Sequence, residues 1–345
     1  MSDHATPASG ASRRPELVCP AGSLPALRAA VEAGADTVYI GLKDETNARN
    51  FGGMNFDLAS AREAAQFTLR NGRKLLMAIN THPQPGHEAR WRAAIDTAAD
   101  IGVDAVILAD PGLLRYAAKT HPHMRRHLSV QGSATSYEAI EFCREAFGIS
   151  RAVLPRVLTL AQVEHVIQHT SVEIEVFGFG SLCVMVEGRC QLSSYATGDS
   201  PNGAGVCSPA RAVRWHETEQ GTEARLAGIL IDRYAPEENA GYPTLCKGRF
   251  AVGEDTYYAL EEPTSLNVVG MLPELLRIGV AAIKVEGRQR SPAYVREVTR
   301  VLREALDHAC AQPQRFHVQP AWQQALGKLS EGQQVTLGAY SRPWK

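Results

Sequence analysis

Four cysteines fall within one irregular part of this chain. Cys183, Cys190 and Cys207 lie in SLCVMVEGRCQLSSYATGDSPNGAGVCSP, and Cys246 follows in YPTLCKGRF. The spacing is Cys183-x6-Cys190-x16-Cys207-x38-Cys246. No pair forms a CxxC, so neither a redox dithiol nor a zinc ribbon is indicated. Each thiol sits among turn-forming residues, as in EGRC, GAGVC and GYPTLC. Loops of that kind can wrap a compact centre. Arg189, Arg211, Arg214, Lys247 and Arg249 are close in sequence, and cations offset the negative charge of four thiolates around a cluster. Three readings stand: independent thiols, structural zinc, or an iron–sulfur cluster with four cysteine ligands. Spacing does not separate the two metal readings, because zinc and iron both accept four thiolates in a tetrahedral array.

A second set of candidates lies at the ends of apolar runs. It comprises Asn80, Asp110, Gln131, Arg156, Glu175, and Glu286 with Arg288. Asn80 in AINTHP and Asp110 in ILADPG suit the orientation of a polar ligand. Arg156 in LPRV and Arg288 in VEGRQR can fork onto a carboxylate. Glu175 and Glu286 interrupt apolar strands, where a buried carboxylate needs a partner. Four of them have an ordinary reading beside the functional one. The two glutamates would pair with barrel arginines, and Asn80 and Gln131 would hydrogen-bond a neighbouring loop. His82 and His87, in NTHPQPGHEAR, read as surface or capping residues, and Trp91 as core.

These residues need a scaffold, and the hydrophobic pattern supplies one. Apolar runs at 16–22, 36–42, 74–80, 104–110, 126–132, 151–156 and 172–180 read as buried strands. Helical stretches lie between them, such as 23–34 with Ser23 as its cap and 87–102. A weak repeat supports βα units. AVEAGADTVYIG, AADIGVDAVILAD and LLRIGVAAIKVEG each run from a helix end through glycine into a strand. Gly34, Gly102 and Gly279 would permit the left-handed turn there. The third copy returns after a long interruption. A (β/α)8-type barrel, regular or irregular, that closes with a late strand at 280–286 fits this order. The run 228–234 is strand-like but has no assigned place. The expected divisions are a disordered tail over 1–15, a first barrel part over 16–180, a cysteine-bearing segment over 181–265, a closing barrel part over 266–312 and a C-terminal extension over 313–345, with Trp344 packing on the barrel.

The 345 residues include 44% hydrophobic and 21% charged side chains, enough for a large core without disulfide staples. Formal net charge is −1, from 36 basic and 37 acidic residues, which argues against a general polyanion binder. No secretory signal or membrane-length apolar run is read, so a cytoplasmic protein is expected. Cys143 and Cys310 fall in helical patterns and read as small buried hydrophobes, while Cys19 ends a strand. There is no GxGxxG, P-loop or HExxH, and GFGSLC is not a G-x-S-x-G elbow.

Longer stretches carry a resemblance. EVFGFGSLCVMVEGRCQLSSY, SPNGAGVCSPAR, IDRYAPEENAGYPTLCKGR, LEEPTSLN and KVEGRQRSPAYV resemble the collagenase-like peptidase (U32) family, above all its ubiquinone-biosynthesis branch. The resemblance runs from LVCPAGSLPALRAAVEAGADTVYIG to LGAYSRPW. Where many relatives have histidine, this chain has Phe179, as that branch does. The resemblance implies a 4Fe–4S cluster on Cys183, Cys190, Cys207 and Cys246. It also implies a heterodimer with a UbiV-like partner and oxygen-independent hydroxylation of the ubiquinone ring. Prephenate would donate the hydroxyl, and a lipid-carrier protein would present the ring. Related members hydroxylate RNA, which makes RNA-base hydroxylation an alternative. A noncatalytic metal-stabilised scaffold is another. No serine-protease or metalloprotease set supports peptidase activity. The polar loop 43–56 would cover the barrel mouth or meet the partner, with the row 87–99 as the other candidate contact.

Overall fold

The structure, a computed structural model, describes residues 14–202, 207–238 and 240–342. Residues 1–13 of the expected tail and Trp344 lie outside the described residues.

Seven strands alternate with helices and pair in sequence order. They are β1 (Glu16–Pro20), β2 (Thr37–Gly41), β3 (Lys74–Ile79), β4 (Ala105–Leu108), β5 (Arg125–Leu128), β6 (Arg151–Val153) and β7 (Glu173–Ser181). A three-stranded antiparallel sheet follows, β8 (Val213–Thr218), β9 (Gly221–Leu226) and β10 (Ile229–Tyr234), then a hairpin of β11 (Arg249–Val252) and β12 (Asp255–Tyr258). After β13 (Ser265–Asn267), β14 (Ala282–Val285) pairs in parallel with both β7 and β1 and closes an eight-stranded barrel. The late strand is thus the closing one. The strand-like run at 228–234 is β10, in the side sheet rather than the barrel. The run at 126–132 is strand only to Leu128. Ser129 Oγ accepts from the Gln131 backbone N–H (3.2 Å) and starts a tight turn over Val130–Gly132.

Local signals explain the helices. Ser23, Asp57, Asp110, Ser136, Thr159 and Ser291 cap helix N-termini through side-chain oxygens. Gly34, Gly102 and Gly279 hold φ of 99°, 78° and 86° at the helix-to-strand turns, as the repeat implied. Helix Pro292–Ala311 covers the closure and buries nine residues from Tyr294 to Ala309. The extension adds helix Pro320–Leu329 against it and β15 (Val335–Thr336) beside β13. Cys143 and Cys310 sit in helices Tyr137–Phe147 and Pro292–Ala311 and pack on the core. Cys19 is fully buried and accepts from the Thr299 hydroxyl at 3.2 Å.

Side chains facing inward split into layers, as strand alternation requires. Val18, Leu76, Ala105 and Ala282 belong to an apolar cluster of their own, separate from the strand-to-helix core. Toward the N-terminal strand ends lies an ion network. Arg151, 1% exposed, meets Glu16 (3.1 Å), Glu173 (2.7 Å) and Glu175 (3.3 Å). Lys74 pairs with Glu16, Arg125 with Glu173 at 3.1 Å, and Lys284 with Glu175 at 2.6 Å.

Candidate functional site

The other end of the barrel opens into a pocket. Strands β2, β3, β4, β6, β7 and β14 bring Tyr39, Ala78, Ile107, Val153, Phe177 and Lys284 to its wall, and the loops beyond the strands add polar groups. Those loops follow the C-terminal strand ends, where barrel enzymes place their chemistry. Four cationic side chains line it, Arg49, Arg156, Lys284 and Arg288, against two acidic ones, Glu187 and Glu286.

Each group is held by specific contacts. Arg156 donates from Nε to Glu187 Oε1 at 2.6 Å, also donates to the Ser181 carbonyl, and lies 4.3 Å from the Phe177 ring centre. Burial works against its charge, but Glu187, Cys183 and Glu286 raise its pKa above the ordinary range. Glu286 accepts from the Ser181 backbone N–H at 3.2 Å. Burial would raise its pKa, but Arg49, Arg156 and Arg290 outweigh that and keep it ionised. Arg288 donates to Asn47 Oδ1 and lies 5.5 Å from the Tyr39 ring centre. Burial, with Arg49 adding to it, brings the Arg288 pKa down to about 10. Asn80 Oδ1 accepts from the Ala48 N–H (3.1 Å), and its amide nitrogen donates to Ser129 Oγ (3.4 Å). Asn80 therefore anchors the 43–56 loop, which brings Ala48 and Arg49 to the pocket. Gly41 is fixed by this closeness: a Cβ there would lie 2.4 Å from Asn47 and 2.5 Å from Arg288.

The cysteine segment packs directly on the pocket. Ser133 Oγ donates to the Glu187 carbonyl (2.6 Å), and Arg189 donates to the Ser133 carbonyl (3.2 Å). Gly188 has φ 87°, and a Cβ there would lie 2.1 Å from the Gln131 carbonyl oxygen, so this contact requires glycine. Asn202 binds the Cys190 carbonyl (2.9 Å), while Ser208 and Tyr242 tie the Cys207 loop to the Cys246 loop. Lys247, beside Cys246, donates to Ser181 Oγ (3.0 Å) and pairs with Glu331 of the extension. All four cysteines are free thiols. They are electrostatic neighbours: Cys207 acts on Cys183 and Cys246, and Cys190 acts on Cys207 and Cys246. Burial pushes Cys183 up to about 12, with Glu187 adding and Arg156 opposing. Among the described residues, no three His, Cys, Asp or Glu side chains are arranged to hold a single metal ion.

The structure brings together Asn80, Gln131, Arg156, Glu286 and Arg288 from the sequence candidates. It places two elsewhere. Asp110 caps helix Pro111–Thr120, accepting from the Leu113 N–H at 2.9 Å, with His82 Nδ1 at 3.6 Å, and does not line the pocket. Glu175 is consumed by Arg151 and Lys284 below the pocket. His87 is at a helix start without a side-chain cap bond, and Trp91 is core, donating to Thr81 Oγ1 at 2.9 Å. Phe179 is fully buried, 6.3 Å from the Tyr294 ring. Sequence reasoning missed Arg49, Glu187 and Lys284. For Glu187 a signal existed: it is the acidic residue between Cys183 and Cys190, two positions before Arg189, in an otherwise uncharged run.

A model of peptidase family U32 matches residues 22–342. The chain belongs to that family. Its U32 relatives include tRNA hydroxylation protein P1 of Bacillus subtilis (strain 168), 28% identical over 94% of this chain and 71% of that protein. tRNA hydroxylation protein P of Escherichia coli (strain K12) is 29% identical over 86% of this chain and 69% of its own length. The 23S rRNA 5-hydroxycytidine C2501 synthase of the same organism is 30% identical over 86% of this chain but 40% of its length. Hydroxylation proteins thus stand among this chain's U32 relatives. Among the described residues, no helix is long and apolar enough to cross a membrane.

Proposed function

We propose that this U32 chain is the UbiU-like, iron–sulfur subunit of an oxygen-independent ubiquinone-ring hydroxylase of the cytoplasm. It would act with a UbiV-like partner, with prephenate as hydroxyl donor and a lipid-carrier protein presenting the ring. The observation that carries the reading is the convergence of four free thiols beside a cationic pocket at the functional end of the barrel.

The donor set, four cysteines, is the one a 4Fe–4S cluster takes, with one thiolate on each corner iron; a structural zinc takes four thiolates as well. Cys183, Cys190, Cys207 and Cys246 would hold the cluster, and bound there it supplies one-electron chemistry that side chains lack. The pocket residues do the rest. Arg288 offers charge to a carboxylate such as prephenate's, Arg156 keeps its place through Glu187 and Phe177, and Asn80 holds the loop that brings Ala48 and Arg49 to the pocket.

Anaerobic purification, alone and with the partner, followed by iron, sulfide and zinc analysis and spin resonance of the reduced sample, tests this. About four irons per chain are expected. One zinc and no iron would sink the cluster. RNA-base hydroxylation is the second reading, favoured by the names of the relatives. Salt-dependent retention of RNA, with no prephenate-dependent turnover of the ubiquinone precursor, would establish it instead.

A further inference from the structure

Two oxygen atoms of the pocket have no partner among the described residues. Glu187 Oε2 and Gln131 Oε1 are buried and accept no hydrogen bond from those residues. Glu187 is 6% exposed and Gln131 9%, and both line the pocket. Glu187 spends only Oε1 on Arg156. The Gln131 side chain makes no hydrogen bond from either end of its amide among the described residues, whereas Asn80, of the same chemistry, is satisfied at both ends. The pair is built rather than incidental. The Gly188 contact and the Ser133 bond seat the Glu187 backbone on the Gln131 turn. Buried acceptors left unpaired are costly, and a native fold keeps them where something else completes them.

The position of these acceptors says what that is. Gln131 follows β5, while Arg288 follows β14 and reaches the end of β2 through Tyr39 and Asn47. In the barrel order, β5 is three strands from β14 in one direction and three from β2 in the other, so the acceptors and Arg288 lie across the mouth from each other. Ala78, Ile107 and Val153 give the wall between them an apolar surface. A ligand matching this arrangement has an anionic end, a hydrocarbon body and a hydrogen-bond donor at the far end.

Resting on the reading of this pocket as the donor site, we infer that it selects a small carboxylate bearing a hydroxyl, whose one proton is shared by Gln131 Oε1 and Glu187 Oε2 in a three-centre hydrogen bond. Gln131 and Glu187 are then specificity-determining residues, and they explain why a cationic pocket keeps two open acceptors. Prephenate, with two carboxylates and one ring hydroxyl, belongs to that class.

The test uses the full chain, prepared anaerobically with its metal, and calorimetric titration with prephenate, phenylpyruvate and 4-hydroxyphenylpyruvate. The last two differ only by a hydroxyl opposite the carboxylate-bearing arm. The wild type is expected to bind the hydroxylated compound about tenfold more tightly, the scale of one well-made hydrogen bond to a buried acceptor. Gln131→Met should erase that preference and leave phenylpyruvate binding unchanged or improved. Equal affinity of the wild type for the pair, with prephenate still bound, would overturn the hydroxyl inference and leave the donor-site reading intact. Failure of all three compounds to bind would overturn both.

Discussion

The two ends of the barrel use the same residue types to opposite effect. At the N-terminal ends of the strands, Glu16, Arg125, Arg151 and Glu173 form a network joined by Lys74, Glu175 and Lys284, in which every carboxylate has a cation. At the C-terminal ends, Arg156, Arg288, Glu187, Glu286 and Gln131 are oriented by neighbours yet keep unused capacity: open acceptors on two residues, and an Arg288 charge held against burial. A saturated network stabilises and has nothing left for a ligand. An unsaturated one gives up stability to keep its atoms available. Burial of ionisable groups therefore does not mark the site here. Open acceptors on the pocket wall separate the two networks, although among the described residues buried unpaired atoms also occur away from both, at Asn55, Ser194, Thr264, Arg303 and His308. His127 is an exception at the closed end. Both its ring nitrogens are buried without a partner among the described residues, and burial, then Arg151, depresses its pKa so that the ring stays neutral.

The comparison can be broken by substitution. Cys246→Ser, at the open end, should have the largest effect: iron content and hydroxylation lost, with the barrel still folded by circular dichroism. Arg151→Met should act at the closed end. It takes one of two cations from each of Glu16, Glu173 and Glu175, leaving them Lys74, Arg125 and Lys284, and should cost about 3 kcal/mol in urea unfolding. Prephenate affinity should be unchanged. Arg288→Met should show the reverse. Stability stays level or rises, because a buried guanidinium whose pKa is drawn down to about 10 is replaced by an apolar chain. Prephenate binding should weaken about ten- to a hundredfold by calorimetry, the scale of a lost hydrogen bond to a charged group.

Acid sharpens the same contrast. Burial would raise the Glu16 pKa, but Arg151 and Lys74 outweigh it and lower it from 4.5 to about 2. A carboxylate depressed in the folded state stabilises above its unfolded pKa and loses that contribution as pH falls through the folded one. Stability of the wild type should thus drop between about pH 4.5 and 2, and Arg151→Met should flatten this part of the curve. The smallest expected effect is Asp110→Ala. Removing this helix cap should cost about 1 kcal/mol in thermal unfolding and leave hydroxylation unaltered. Lost activity in a stable Asp110→Ala protein would return that residue to the site.

Local pattern carried most of the fold. Apolar runs ending at Leu42, Asn80 and Asp110, with glycine turns at Gly34, Gly102 and Gly279, state a repeating βα unit, because burial on both strand faces and a left-handed turn each restrict residue type. The irregular cysteine segment and the polar strand ends were legible for the same reason: they break that pattern. Which breaks matter was not legible. Glu175 and Glu286 look alike in sequence, yet Glu175 meets Arg151 from β6 and Lys284 from β14, while Glu286 faces the pocket. Asn80 and Gln131 also look alike, yet the 43–56 loop satisfies one and Gly188 closes over the other. Arg49 and Glu187 reach the pocket from loops whose course no local rule sets. Periodicity and turn chemistry act between near neighbours in the chain, so sequence alone determined the barrel and the cysteine set. Pairing of a buried polar group depends on residues tens to hundreds of positions away, so only the tertiary structure decided which of them remain open for chemistry.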